Sequence, residues 1–544
     1  MFDFSSLDRA YDAARQSFRL EIPEHFNFAF DVIDARAAQA DRTAVIAVSR
    51  DLARVERISF AALSESSSRL ANALLERGAA PGDIACMVVG RVPAWYTLLF
   101  GCMKAGVVSM PGTSLLTAKD IAYRVNNAGA SIVMVTSEHC EKVDSVAAQC
   151  PTLKMRIVVD SERPGWLSLD GLLAEAAPSF DRGRLPPSKA SDTMMAYMTS
   201  GTTSLPKMVP RDHGYGLAHA ATGLFWMDLR PDDVHWSITD TGWAKAAWGM
   251  LFPQLLLGTP TVLYDAAGHF DPELHLKLIA ELGVTTFCAP PTVYRLFAQL
   301  DLGRHDLGSL RRCLGAGEPL NPEVMRYWHK HTGTVIADGY GQTETINIVA
   351  NFPDQEVRYG SMGKPVPGYD VDIVDDRGVR LPAGEVGHIG LRLTEPYPQG
   401  LFRGYVTDDG LDTRSFREGW YYTGDMAWRD EDGYLWFVGR ADDLISSAGY
   451  RISPFEVESA LIEHEAVAEC AVVGKPDPTR GQIVKAFVTL AKGYAPSPEL
   501  AHEIQEFCKK TTAPYKYPRE IEFVDSLPKT ISGKIRRVEL RAEG

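Results

Sequence analysis

Between residues 60 and 160 the sequence repeatedly alternates a short, unbroken apolar run with a longer helical pattern, and few architectures accommodate that. The apolar runs are Ile84–Val89, Val107–Met110, Ile132–Val135 and Ile157–Val159. A strand that is apolar on both faces must be covered on both faces, as happens in a parallel sheet flanked by helices. Between the runs, Ala62–Arg77 sets Leu70, Leu74 and Leu75 on one helical face and stops at Gly78; Trp95–Lys104 reads as a second helix. Pro111 and Gly112 are expected to end the strand that starts at Val107. The expected fold class is therefore α/β, with layered sheets and helices.

The pattern changes character near the end of the chain. EDGYLWFVGRADD (431–443) reads as a turn, a strand and an acidic turn. After it come a helix at Pro454–Glu463, strands at Val467–Val473 and Val484–Leu490, and a helix at Glu499–Lys510. A chain of 544 residues is too long for one ordinary core. The expected division is a large N-terminal domain, 1–438, and a smaller α+β C-terminal domain, 439–544.

Charge and cysteine usage narrow the function. With 56 Lys+Arg against 70 Asp+Glu the net charge is −14, which argues against broad nucleic-acid binding. The eight cysteines are scattered and form no CxxC pair, so neither a disulfide framework nor a zinc site is expected. The N-terminus lacks the apolar run of a signal peptide, and the longest apolar stretch, near Met250–Leu257, is broken by Pro253 and Gln254. A reduced, cytoplasmic setting without a membrane span is expected; oligomeric state is not legible.

Five segments carry chemical character. Tyr197–Lys207 (YMTSGTTSLPK) surrounds Gly201 with the hydroxyls of Thr199, Ser200, Thr202 and Thr203 and ends on Lys207, a composition able to wrap a phosphate in N–H and O–H donors. It is not a Walker A loop, which needs a second glycine just before the lysine; in isolation it is as readily a surface turn. Leu314–Pro319 (LGAGEP) and Asp338–Thr345 (DGYGQTET) are glycine-rich turns at strand ends. In the second, Gly339 and Gly341 allow close approach to a flat ligand and Tyr340 offers a ring to a purine. Thr343 adds a hydroxyl, and Glu344 a hard oxygen donor suited to Mg²⁺. Asp425 in YTGD suits a ribose diol. Finally PKTISGKIRR (528–537) places Lys534 after Ser-Gly near the chain end. Alone, the glycine-rich turns and the basic tail are each more readily a turn or a solvated tail than a site.

Together, in this order, TSGTT…PK, GYGQTET, YYTGD, GRADD and PKTISGK resemble the adenylate-forming superfamily of acyl-CoA synthetases, luciferases and peptide-synthetase adenylation domains, over nearly the whole chain. EHFNFAFDVID, ITDTGWAKAAW, APPTVYRLF and TTAPYKYPR are similar to medium-chain acyl-CoA synthetases and benzoate-activating relatives. The resemblance implies ATP, Mg²⁺ and coenzyme A as cofactors, and two half-reactions in one site. A carboxylate first attacks the α-phosphate of ATP and pyrophosphate leaves; the CoA thiol then attacks the acyl-adenylate and AMP leaves.

By the same resemblance, Thr199, Ser200, Gly201, Thr202, Thr203 and Lys207 hold the phosphates. Gly315, Ala316, Gly317, Glu318 and Pro319, with Asp338, Gly339, Tyr340, Gly341, Gln342 and Thr343, hold adenine and the α-phosphate. Glu344 binds Mg²⁺, Asp425 and Arg440 hold the ribose, and Arg451 faces substrate or nucleotide. Lys534 is the lysine of the adenylating step. Asp442 maps onto a hinge about which the small domain swings, bringing Gly449 and Tyr450 to the pantetheine channel; Arg480, Lys509 and Tyr517 match CoA contacts. Trp243, Trp248, Tyr294 and the Gly339 and Gly341 backbone are expected to line the acyl pocket, where Lys245 is the one cation able to pair a second carboxylate. Ser204 stands where relatives usually carry glycine. The expected activity is an acid–thiol ligase for a medium-chain, branched or aromatic monocarboxylic acid. The alternatives are an enzyme that loads a carrier-protein thiol, or an inactive sensor of acyl groups or nucleotides.

Overall fold

The computed structural model describes residues 2, 4, 6–39, 41–199, 206–266, 270–318, 320–448, 450–513, 515–529 and 535–543. The apolar runs form the middle of a nine-stranded sheet. Ile84–Val88 lies next to its central strand, Val108–Gly112, with Ile132–Val135 on its other side, all parallel. Met155–Val158 and Leu167–Ser168 extend one flank. Thr193–Thr199, Lys207–Asp212, Tyr405–Thr407 and Gly410–Asp412 extend the other, antiparallel from Thr193–Thr199 outward. Contrary to the sequence expectation, Pro111 and Gly112 lie inside the strand, opposite Met87 and Val88. Proline is tolerated there because pairing on the strand's other side is confined to Ser109 and Met195.

A second nine-stranded sheet has a parallel middle. Ile336–Gly341, Arg312–Ala316, Thr286–Ala289, His235–Ser237, Thr261–Tyr264 and Thr43–Val48 lie side by side, and antiparallel strands close each edge. The order reverses at His235–Ser237: the next strand in the chain, Thr261–Tyr264, lies to one side of it and the one after, Thr286–Ala289, to the other. A third, antiparallel sheet joins Val371–Val374, Val386–Arg392, Trp420–Arg429, Phe416–Arg417 and Leu435–Arg440.

The fourth sheet, Ile445–Ser447, Tyr450–Ile452, Val467–Asp477, Gly481–Leu490 and Glu520–Phe523, is covered by helices Pro454–Ile462 and Pro498–Thr511. Its core, with Ile445, Val457, Leu461, Val472, Val488 and Ile504, draws only on residues of this region. The architecture is α/β as expected, a large sheet-and-helix body followed by a smaller α+β unit. Among the described residues no helix is long and apolar enough to cross a membrane, and all eight cysteines are free and buried.

Helices Phe60–Glu76 and Ala94–Ala105 cover one face of the first sheet and pack closely on each other. The first starts at Ser59, whose side chain accepts from Ala62 N at 3.2 Å. At their crossing the second helix presents Gly101, where an added Cβ would lie 2.7–2.9 Å from three side-chain atoms of Leu70. Two effects oppose at that position. Alanine is favoured over glycine in a helix by about 1 kcal/mol, whereas overpacking a filled core costs about 1–3 kcal/mol. Packing should win, so Gly101→Ala is expected to lower the thermal unfolding midpoint; a raised midpoint would show that the crossing has slack.

Candidate active site

The glycine-rich motifs all hang from one edge. Strands His235–Ser237, Thr286–Ala289, Arg312–Ala316 and Ile336–Gly341 are neighbours and parallel, so the segments that follow them emerge side by side. The carboxyl ends of strands at a reversal of strand order are where open α/β sheets bind ligands. ITDTGWAK, APPT, GAGE and GYGQTE thus converge although they lie up to a hundred residues apart. Gly317 adopts φ +107°, a backbone conformation that favours glycine, with nothing within 4 Å of where a Cβ would stand.

Gly339 and Gly341 are small for a different reason than the sequence suggests. A Cβ on Gly339 would lie 2.5 Å from the Trp226 indole, and one on Gly341 would lie 2.4 Å from the Ile346 carbonyl oxygen. The missing side chains make room for the protein's own packing, whatever else approaches. Asp338 is buried there, and burial pushes its carboxyl up to about 8 against the hydrogen bond it accepts from Gly339 N at 3.0 Å. Burial thus favours its protonated form, which can donate as well as accept.

Asp425 gathers the motifs from three segments. Its Oδ2 accepts from the Tyr340 hydroxyl at 2.5 Å and from Gln342 Nε2 at 2.7 Å. Arg440, its partner across the antiparallel ladder, places Nε 3.7 Å from Oδ1 and 3.4 Å from Asp442 Oδ1. Gln342 is fixed in turn by Thr423 O at 2.9 Å and by the Tyr421 hydroxyl, which donates to its Oε1 at 2.9 Å. Thr343, half-buried, follows directly.

Glu344 is held by residues that sequence reasoning missed. Its backbone oxygen accepts from Arg211 Nη1 at 2.9 Å and from Phe402 N at 2.8 Å. Its Oε1 accepts from the Tyr405 hydroxyl at 2.7 Å. Burial, and then the carboxylate itself, hold the Tyr405 phenol protonated as a donor. Tyr405 pairs into the first sheet beside Lys207–Asp212, so Lys207 Nζ lies 4.7 Å above the Tyr405 ring and 3.8 Å from Asp412 Oδ2. Thr199 faces Lys207 across the same hairpin, and its hydroxyl donates to the Lys207 carbonyl at 3.3 Å. The expected residues Ser200, Gly201, Thr202, Thr203 and Pro319, and Ser204 with them, lie outside the described residues. Arg211 and Tyr405 stand in no motif, and nothing in their local sequence marks them.

Of the expected acyl-pocket residues, Trp248 packs edge-on against Trp226 at 5.3 Å, so it joins the Gly339 backbone through that ring. Trp243 is half-buried at the start of helix Ala244–Gly249. Tyr294 is a correction. It is fully buried among Phe287, Phe297 and Trp328, and its hydroxyl donates to Leu314 O at 3.0 Å. The proline-started helix Pro291–Phe297 turns that face onto the core behind the sheet. Lys245 Nζ is buried, lies 5.5 Å above the Trp248 ring, and burial draws its pKa down.

Within the fourth sheet, the Ala448 amide donates to Arg480 O at 2.9 Å, and the exposed Tyr450 ring stacks on Tyr515 at 4.3 Å. Two residues beyond Tyr515, Tyr517 carries Lys509 Nζ over its ring at 4.3 Å. Tyr450, Arg480, Lys509 and Tyr517 are thereby linked in one region, with exposed Arg451 beside Tyr450; Gly449 lies outside the described residues. So does Lys534, but the segment bearing it is bounded on both sides. Lys529 and Ile535 form an antiparallel bridge, and Arg536 N donates to Pro528 O at 2.8 Å.

The donor set fits a hard cation brought with a phosphate ligand. Among the described residues no group of three or more His, Cys, Asp and Glu side chains is arranged to hold a metal. Glu344 is a single carboxylate oriented by a phenol, and Mg²⁺ is usually bound by one or two carboxylates together with substrate phosphates. Asp425, with three neighbours fixing it, suits a diol.

Comparison with known proteins agrees with this geometry. Residues 33–406 match the AMP-binding enzyme family and residues 456–534 its C-terminal domain. The human acyl-coenzyme A synthetase ACSM3, a mitochondrial protein, is 43% identical over 542 residues, 98% of this chain and 92% of the relative. The crystal structure of the anthranilate CoA ligase AuaEII in complex with anthranoyl-AMP superposes with a TM-score of 0.87 at 32% identity, covering 96% of this chain and 98% of that one. An acyl-CoA synthetase from Brucella canis gives 0.75 at 36% identity, covering 99% of both chains. By these matches and by its architecture, the chain belongs to the AMP-binding enzyme family.

Proposed function

We propose that this enzyme is an ATP-dependent acyl-CoA synthetase that forms an acyl-adenylate with release of pyrophosphate and then an acyl-CoA with release of AMP. The observation that carries the reading is the convergence of Tyr340, Gln342 and Arg440 on Asp425, with Glu344 oriented by Tyr405 close by in the chain. One end of that arrangement suits a ribose and the other a metal-bound phosphate. Transfer at phosphorus depends mainly on positioning and on charge placed in advance. In this reading Lys207 and the segment before it hold the phosphates, Gly315–Pro319 and Asp338–Thr343 hold adenine and the α-phosphate, and Glu344 holds Mg²⁺, which neutralises phosphate charge when bound. Lys534 contacts the reacting carboxylate and α-phosphate.

The domain boundary at 438/439, the hinge at Asp442 and the CoA contacts at Gly449, Tyr450, Arg480, Lys509 and Tyr517 belong to the same proposal, as does a cytoplasmic setting. The acid is a medium-chain, branched or aromatic monocarboxylic acid, held against Trp243, Trp248 and the Gly339 and Gly341 backbone. An apolar pocket discriminates by about 1–3 kcal/mol per methylene, so a panel of C2–C12 and aromatic acids should show graded rates rather than a single substrate. AMP and pyrophosphate are followed with and without CoA. Turnover that needs a carrier protein in place of CoA would overturn the reading.

Lys534→Ala should slow single-turnover pyrophosphate release about 10²–10³-fold, the scale for losing one preorganised electrostatic contact. Thioester formation from supplied acyl-AMP should be spared, and equal loss in both steps would sink the assignment. Glu344→Gln should raise the Mg²⁺ concentration needed for half-maximal adenylation, because a neutral amide is a poorer ligand for a hard cation. An unchanged magnesium titration would remove Glu344 as the ligand.

A further inference from the structure

The lysine-bearing segment is fastened at its base by ion pairs that belong to neither the nucleotide nor the CoA contacts. Arg537 Nη2 donates to both carboxylate oxygens of Glu458, at 2.7 and 2.8 Å, and its Nη1 lies 3.7 Å from Asp443 Oδ2. Arg541, one turn further along helix Arg537–Glu543, donates to the same Asp443 carboxylate. Glu458 is 7% exposed, and its Oε1 also accepts from Val472 N at 2.8 Å. That carboxylate therefore ties helix Pro454–Ile462, strand Val467–Asp477 and the segment after Lys534 together. On the segment's other leg, Lys529 Nζ lies 2.8 Å from Glu469 Oε1, on the same strand.

Stability alone is a weak explanation for such an arrangement. Removing two charges from water offsets much of their attraction, and an apolar replacement of similar size is often no less stable. What the pairs add is geometry. The single arginine at 537 is gripped by one carboxylate from the domain core and lies beside another that directly follows the proposed hinge residue Asp442. We propose that Glu458 and Asp443, acting through Arg537, are positioning residues that make the hinge, the core helix and the lysine segment one body, so that rotation about Asp442 carries Lys534 to and from the reacting groups. This rests on the adenylating role proposed for Lys534.

Glu458→Gln tests it most directly, because glutamine keeps an oxygen for Val472 N while it removes the charge and turns one of the two oxygens that accept from Arg537 into a donor. With hexanoate or benzoate, whichever turns over faster, single-turnover pyrophosphate release should fall about 10-fold or more, the scale for losing a partner that orients a functional group. KM for ATP and thioester formation from supplied acyl-AMP should stay within about twofold, since the loss falls on a contact made in one step only. The Arg536 amide, which donates to Pro528 O, should exchange with deuterium faster. Arg537→Met should reproduce the split and Arg537→Lys should restore part of it; that pair decides the matter if the glutamine variant does not fold. Equal loss in both half-reactions, or none in either, overturns the proposal. Lys534→Ala run alongside separates two failures. Adenylation lost there but intact in Glu458→Gln defeats only the positioning role, whereas adenylation intact in Lys534→Ala defeats both readings.

Discussion

The Asp425 carboxylate is the joint on which the site depends. It stands on the third, antiparallel sheet and accepts from Tyr340 and Gln342 at the end of the second, so its position sets how the two sheets meet. Its ladder partner Arg440 also reaches Asp442, which brings the start of the connection to the last sheet into the same charge cluster. Hydrogen bonds to an ionised group are roughly twice as strong as neutral ones. Two donors and a nearby guanidinium on one buried acid therefore fix geometry that looser contacts would leave variable. Glu344 is fixed similarly from the other side, with Arg211 and Phe402 on its backbone and Tyr405 on its side chain. The contacts proposed for adenine, ribose, phosphate and metal would otherwise depend on four separate loops. These cross-links join the segments that carry them.

Much of this was legible in the sequence, and the boundary of legibility has a physical cause. The doubly covered strands Ile84–Val88 and Ile132–Val135, and helices such as Ala94–Ala105, are written locally, because burial on both faces demands unbroken apolar runs. The helix and strand order from residue 454 to 511 was equally plain, whereas strand Glu520–Phe523 and helix Arg537–Glu543 beyond it were not read. What was not local was not visible. The Pro111 and Gly112 strand positions depend on how far the neighbouring strand accompanies them. Tyr294 stands next to a recognisable motif, yet the direction of a short helix decides whether it faces cleft or core. Arg211 and Tyr405 act across more than sixty residues of chain, with no pattern around them to mark the role.

The two glycines of GYG show that a correct residue can be read for an incomplete reason. Their small size looks like an accommodation for a ligand, but the structure fills the space beside them with the Trp226 indole and the Ile346 carbonyl. The consequence for the site is indirect and more constraining. Trp226 is buried, packs against Trp248 and donates its N–H to Ala337 O at 3.1 Å, so it locks the strand that carries the GYG motif, proposed to hold adenine, to the helix that carries Trp248, proposed to wall the acyl group. A change on either side is transmitted through a rigid ring rather than absorbed by a loop.

A site for two half-reactions also needs a part that moves without unfolding, and the last hundred residues have the properties required. Their core is drawn from their own side chains, so rotation would expose little apolar surface that folding had buried. Contacts to the large body at the connection include the Ser453 hydroxyl, which donates to Val438 O, and the Phe455 ring, which meets Phe437 edge-on at 6.2 Å. Contacts at a pivot can persist while the far side of a body travels. The charges that hold the lysine segment, Glu458, Asp443, Arg537 and Arg541, all lie beyond Asp442. They would turn with the small body instead of breaking, as hinge motion about a few residues requires. Self-contained packing, contacts near the connection and internal pairing of charge are what the proposed rotation about Asp442 requires, if Lys534 is to serve one half-reaction and the thiol of CoA the other.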